Sequence, residues 1–229
     1  MFSGKKYETH LHFLMAGIGG YFGAYSLLNR CDLFGSAQTA NLLTSVFCLA
    51  NGKFYDLILR VGAMLIYGAA FAIAIILAKR SPVNVRKLSI IMSSLTAILL
   101  CFLPSDMNNL IALYPVFFIT ALQWSVFKGT DEFASATIFS TNNYRQAVSG
   151  FTEYFLGHEE KQLRKGRFYA FTLLSFHTGA LVCCFISKHF GLKSSLFVLL
   201  PLAIAYYVVE KQEPFQAVTL HPDCAPRRL

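Results

Sequence analysis

Six apolar runs, at residues 11–28, 57–78, 88–103, 110–127, 168–186 and 194–209, alternate with short polar or charged loops. About 20 apolar residues in helical form cross the hydrocarbon core of a bilayer. Within that core the backbone must bond to itself, so each run reads as a membrane-crossing helix. The run at 57–78 is the clearest of them. Composition agrees: 55% of the 229 residues are hydrophobic and only 14% charged, against about 25% charged in soluble domains. An ordinary soluble fold is excluded. The first run follows a lead carrying Lys5 and Lys6, as a secretory signal would, but it is long, glycine-broken and lacks a clear small-x-small cleavage site. The expected fold is therefore an all-α polytopic membrane protein: a lead at 1–10, a first membrane repeat at 11–103, a second at 104–209, and a tail at 210–229 with three prolines and no evident fold.

Two further stretches break the pattern. Residues 34–50, FGSAQTANLLTSVFCLA, are too short to cross comfortably and open on glycine, serine, glutamine, threonine and asparagine. Residues 136–156, ATIFSTNNYRQAVSGFTEYFL, are a weaker copy. Thr39 and Asn41 align with Thr141 and Asn143 at an offset of 102, while Gly68-Ala69 matches Gly179-Ala180 at 111, the charged connector HEEKQLRKGR accounting for the difference. Each half thus reads span, short element, span, span.

Lys and Arg concentrate in cytoplasmic loops. If both short elements turn back to the side they came from, 15 of the 20 basic residues fall on one side and only Arg30, Lys53, Arg60, Lys188 and Lys193 on the other. If each crossed, the split would be 11 to 8 with Arg145 stranded inside. The re-entrant arrangement is preferred, and it places both termini in the cytoplasm of a cell (inner or plasma) membrane. Three full spans per half make the second half an inverted copy of the first, six spans in all. The net charge of +8 lies in blocks between apolar runs with no recognition motif, so it is read as orientation and attraction to anionic lipid rather than as a nucleic-acid surface.

In inverted repeats, substrate sites lie near the midplane where broken helices meet. Gly35-Ser36 and Ser140-Thr141 read as caps of two half-helices, whose N-terminal ends carry free N–H groups and partial positive charge. Arg145 adds a full charge nearby. This chemistry favours an anion or a neutral polar solute over a bare cation. The expected lining is Gln38, Thr39, Asn41, Gln123, Thr141, Asn143 and Arg145, with His177 in the fifth span as a relay or ligand. The alternatives stay open at each: His177 as a neutral imidazole bonded between helices, Gln123 as interhelical glue, and the tip Thr and Asn residues as caps that bond each other.

The run GYFGAYSLLNRCDLFGSAQTANLL resembles the first motif of the YoaK-like family of bacterial integral membrane proteins, in which a glycine-rich helix leads into a QTGN-type tip. ALQWSVFKG followed by STNN is similar to that family's second motif. The resemblance covers roughly residues 11–209, with Ala40 and Asn142 standing where the tips carry a middle glycine. It implies the architecture just derived and no settled activity.

The sequence holds no HExxH, GxSxG or phosphate loop, so no enzyme is read from it and no cofactor is required. Six cysteines form no CxxC pair and read as packing residues rather than metal ligands. Gly19 and Gly23 form a GxxxG that admits another helix closely, within the chain or from a second copy in a homodimer. Two functions follow: a transporter or channel for a small polar or anionic solute, or a non-transporting scaffold whose tips only pack and whose basic face holds lipid or a partner.

Overall fold

The computed structural model describes residues 4–30 and 38–219, with side chains placed over 7–30 and 38–211. The elements in order are α1 (Gly4–Asn29), α2 (Gln38–Ala50), α3 (Phe54–Arg80), α4 (Val85–Phe102), α5 (Asn109–Ala112), α6 (Tyr114–Val126), α7 (Thr141–Gly157), α8 (Glu160–Phe190), a 3₁₀ segment (Gly191–Val198) and α9 (Leu199–Thr219). Among the described residues, β structure is limited to one isolated bridge between Gly129 and Ala134. The all-helical expectation holds.

Several boundaries differ from the sequence reading. α1 is already helical at Gly4, and α9 continues to Thr219 into what reads as a structureless tail. The fourth run divides at Leu113 into α5, capped by Asn108 through bonds from the Leu110 and Ile111 amides, and α6. Pro115, with no N–H to give, interrupts the ladder there. The second short element is non-helical over 136–140, bending at Thr137, Ile138 and Ser140, and turns helical at Thr141, where the sequence reading set its cap. Arg164 does not pair with Glu160 one turn away but with Glu132, at 3.2 Å. The proposed cap Gly35-Ser36 lies outside the described residues.

Five stretches are long and apolar enough to cross a membrane: Tyr7–Asn29, Phe54–Arg80, Val85–Phe102, Asn109–Val126 and Glu160–Lys211. The last holds 52 residues. As one straight helix it would run about 78 Å, more than twice the ~30 Å core. It breaks at Gly191, whose φ of +52° suits a residue without a Cβ. Both of its ends lie at one end of the molecule. The start of α8 shares a surface cavity with Glu8 through Arg164 and Arg167, Glu8 pairs with Arg86 at 3.6 Å, and the end of α9 reaches Lys87 through Glu210 at 2.6 Å. The 3₁₀ segment lies by the far half of α1, where Tyr21 donates to the Ser194 carbonyl at 2.6 Å.

α1 is the central helix, with Met15, Ile18, Phe22 and Tyr25 fully buried. It packs on α8 almost backbone to backbone: a methyl on Gly20 would overlap the Phe176 carbonyl, and one on Gly179 would overlap that of Gly17. α3 pairs with α6, α4 lies against α6 and α9, α2 lies on α3, and α7 on α8. The exposed large side chains, such as Ile58, Leu65 and Ile76 on α3 and Leu200 on α9, form the apolar outer face expected of a chain solvated by lipid. On α7, the Ser149 hydroxyl donates to Glu153 at 2.6 Å and Lys165 of α8 stands 3.7 Å away. The hydroxyl first, and then the ammonium, hold that carboxyl below its usual range.

Candidate functional site

The segment 128–140 leaves the charged end of α6 and runs inward without helix. Thr137 comes to rest against Gly19, whose missing side chain makes room for the Thr137 carbonyl. Gly19 stands about 16 Å along α1 from Glu8, roughly half the thickness of a bilayer core. Bare backbone at that depth must find partners inside the protein, and side chains supply them. Tyr169 donates to the Ala134 carbonyl at 2.6 Å. Asn143, on the first turn of α7, gives both amide hydrogens to carbonyls, Ala136 and Phe139, each at 2.8 Å. Gln123 donates to the Thr137 hydroxyl at 2.9 Å and to the Met15 carbonyl at 2.8 Å.

These bonds fix the direction of the rest. With its NH₂ committed to two carbonyls, Asn143 presents Oδ1, which accepts from the Ser135 hydroxyl at 2.9 Å. The single Ser135 hydrogen is then used, so Ser135 can only accept from His12 Nε2, 3.1 Å away. His12 therefore carries its hydrogen on Nε2, and it stacks on Phe168 with centroids 5.3 Å apart. Asn143 and Gln123 are each 1% exposed. This tip is closed, and its amides and hydroxyls bond one another, while His12 Nδ1 is buried without a partner. Ser140 adds no side-chain cap to it.

The first tip is built differently. Asn41, 5% exposed on the first turn of α2, accepts from Arg60 Nη1 of α3 at 3.1 Å. Because a guanidinium only donates, Oδ1 must face it, leaving the Asn41 NH₂ on the other side. That nitrogen is buried without a partner, and so are Gln38 Nε2 and Arg60 Nε. Gln38 and Asn41 stand three residues apart and share a helix face, at a helix start whose own N–H groups lack intrahelical acceptors. Two turns further along α3, on the face of Arg60, the Tyr67 hydroxyl is buried and unpaired as well. Arg60 lies about 9 Å along α3 from Phe54, within the span rather than in the loop before it.

The eight residues expected to converge fall into three groups. Asn41 bonds Arg60, with Gln38 three residues before it on α2; Gln123 and Asn143 bond into the closed tip; Thr39, Thr141, Arg145 and His177 are exposed. Arg145 Nη2 reaches only Asn142, at 3.4 Å, and His177 Nδ1 donates back to the Leu173 carbonyl of its own helix at 2.8 Å. α2 packs on α3 and α7 on α8, so the tips have separate beds. What runs between those beds is aromatic: Phe71 of α3 meets Trp124 at 5.3 Å, and Trp124 meets Phe139 edge-on at 4.7 Å. Sequence reasoning missed Arg60, His12, Ser135 and Thr137. The signal for Arg60 was present, a lone charge inside the longest apolar run, where ionisable residues serve function by default.

A family model described as "Protein of unknown function (DUF1275)" matches residues 11–209. No curated protein and no solved structure matches the chain.

Proposed function

The chain belongs to that membrane-protein family of unknown function, and from this premise we propose that it binds a small anion at the tip of α2 and passes it across a cell membrane. The observation that carries the reading is the set of buried, unpaired N–H donors of Gln38, Asn41 and Arg60. All three are donors and one belongs to a full positive charge, so the missing partner is an acceptor bearing negative charge. Asn41 holds the guanidinium by Nη1, leaving Nε and the two amides to close on the anion. No chemical step is assigned to the site.

The architecture we infer is six crossings in two inverted halves, each with a re-entrant helix, both termini cytoplasmic. The packing supports it. Exchanging α1 with α6, α2 with α7, α3 with α8 and α4 with α9 maps the pairings onto one another: α1 on α8 becomes α6 on α3, α2 on α3 becomes α7 on α8, and α1 on α9 becomes α6 on α4. Transport folds built this way rock one half against the other.

Proteoliposomes holding the full chain, tested with chloride, nitrate, formate and inorganic phosphate, should pass at least one of these faster than protein-free vesicles. Arg60→Gln should slow that flux by about 10- to 100-fold, the worth of one charge-assisted bond, with a Tm loss no larger than that of Asn41→Ala, which breaks the same bond. Flux equal to empty vesicles for all four anions would overturn the reading in favour of a non-transporting scaffold, which the closed α7 tip favours.

A further inference from the structure

At the charged end of the molecule, three helix ends leave a cavity of about 510 Å³ between them. α3 brings Lys79, α4 brings Arg86 and the exit of α6 brings Lys128. Among the described residues no carboxylate lines it. Glu8 of α1, which meets Arg86 at 3.6 Å, lies outside the lining. Three like charges around one hollow repel one another unless an anion sits between them. The walls are not those of a site for a free ion. Ala74, Ile75, Val85 and Val126 make one side apolar, and Ile75 continues onto the exposed lipid-facing surface of α3.

We propose that this cavity holds the phosphodiester headgroup of an anionic phospholipid, with Lys79, Arg86 and Lys128 on the phosphate and the first carbons of an acyl chain along the apolar wall. Basic hollows between membrane helices select such lipids. The volume is within the usual range for a small-ligand site. The shared chemistry, a phosphate anion, is also that of free inorganic phosphate; the apolar wall assigns it to lipid. The site is separate from the α2 tip, and either proposal can fail without the other.

The test uses the purified full chain, stripped of lipid in detergent, with Tm measured after adding phosphatidylglycerol, phosphatidylcholine or inorganic phosphate. Phosphatidylglycerol should raise Tm by roughly 5 °C, as a saturating ligand does for a protein of this size, and the other two by far less. Lys79→Gln/Lys128→Gln should lose most of that rise, Lys79→Arg/Lys128→Arg should keep it, and Arg80→Gln/Lys161→Gln, which removes equal charge from the same end outside the cavity, should also keep it. An equal rise with phosphatidylcholine or inorganic phosphate overturns the proposal. So does a rise that survives in the Lys79→Gln/Lys128→Gln variant or disappears in the Arg80→Gln/Lys161→Gln variant.

Discussion

Asn143 spends its whole amide on the protein: two hydrogens on the Ala136 and Phe139 carbonyls and Oδ1 on the Ser135 hydroxyl. Truncation leaves the Ala136 and Phe139 carbonyls without that partner at membrane depth and the Ser135 hydroxyl with His12 alone. Asn143→Ala is therefore expected to cost about 2–4 kcal/mol, two or more unsatisfied groups, read as a fall in Tm of the purified protein. Asn143→Asp should be worse, since an acceptor then faces two carbonyls. Asn41→Ala should cost less than Asn143→Ala, because the only bond it breaks is the one from Arg60, and at the proposed site it should weaken anion flux. A Tm loss in Asn41→Ala equal to that of Asn143→Ala would remove the distinction between an open tip and a closed one. The two asparagines were legible as a pair, because their spacing recurs at one offset. What surrounds them was not. The same holds for His12 and His177: both stand in apolar runs, and only the packing of α8 against α1 buries one beside Ser135 and leaves the other on the surface.

Helix identity followed from hydrophobic runs, and helix ends followed less well. Residues 136–140 open the second short element ahead of the cap read at Ser140-Thr141. They stay non-helical because Asn143 bonds the Ala136 and Phe139 carbonyls and Gln123 the Thr137 hydroxyl from the side, while Tyr169 holds Ala134 just before them. No local pattern encodes that. Glycine spacing was legible only as a capacity for close approach. Gly19 of the GxxxG uses that capacity inside the chain, against Thr137 and Gln123, so its open side is not available to a second copy. The α1–α8 contact is the tightest use of glycine. Gly179→Ala or Gly20→Ala sets a methyl against a backbone carbonyl that cannot rotate away, so the two helices must part, and overpacking of this kind costs about 1–3 kcal/mol. Gly68→Ala is the matched comparison on α3, where nothing lies within 4 Å of the added methyl. It should raise stability by roughly 0.5–1 kcal/mol through helix propensity. Unfolding midpoints of the three variants check both signs.

At the scale of the molecule, the proposed inverted order rests on where the chain's turns lie. The basic-residue count assigned them without any structure, because each loop inherits its side from the number of crossings before it. Tip contact was beyond such counting, since it depends on which helix each short element beds against. The critical stretch is Glu160–Lys211. Crossed once, it would set Lys211 on the side opposite Glu159; folded back at Gly191, it sets both on one side. Glu210 bonded to Lys87, and Arg164 bonded to Glu132, favour the second, since α4 starts and α6 ends at that same charged end. Single cysteines placed in a cysteine-free background and challenged in intact cells with a membrane-impermeant maleimide separate the two. Gly52→Cys and Lys193→Cys should be labelled from outside. Ser81→Cys, Glu159→Cys and Lys211→Cys should be protected until the membrane is opened. Labelling of Lys211→Cys together with Lys193→Cys would mean five crossings, and with them the exchange of halves would lose its sixth helix. Labelling of Glu159→Cys in intact cells would mean that α7 crosses instead of turning back. In that case its closed tip would be a packing joint within an ordinary span.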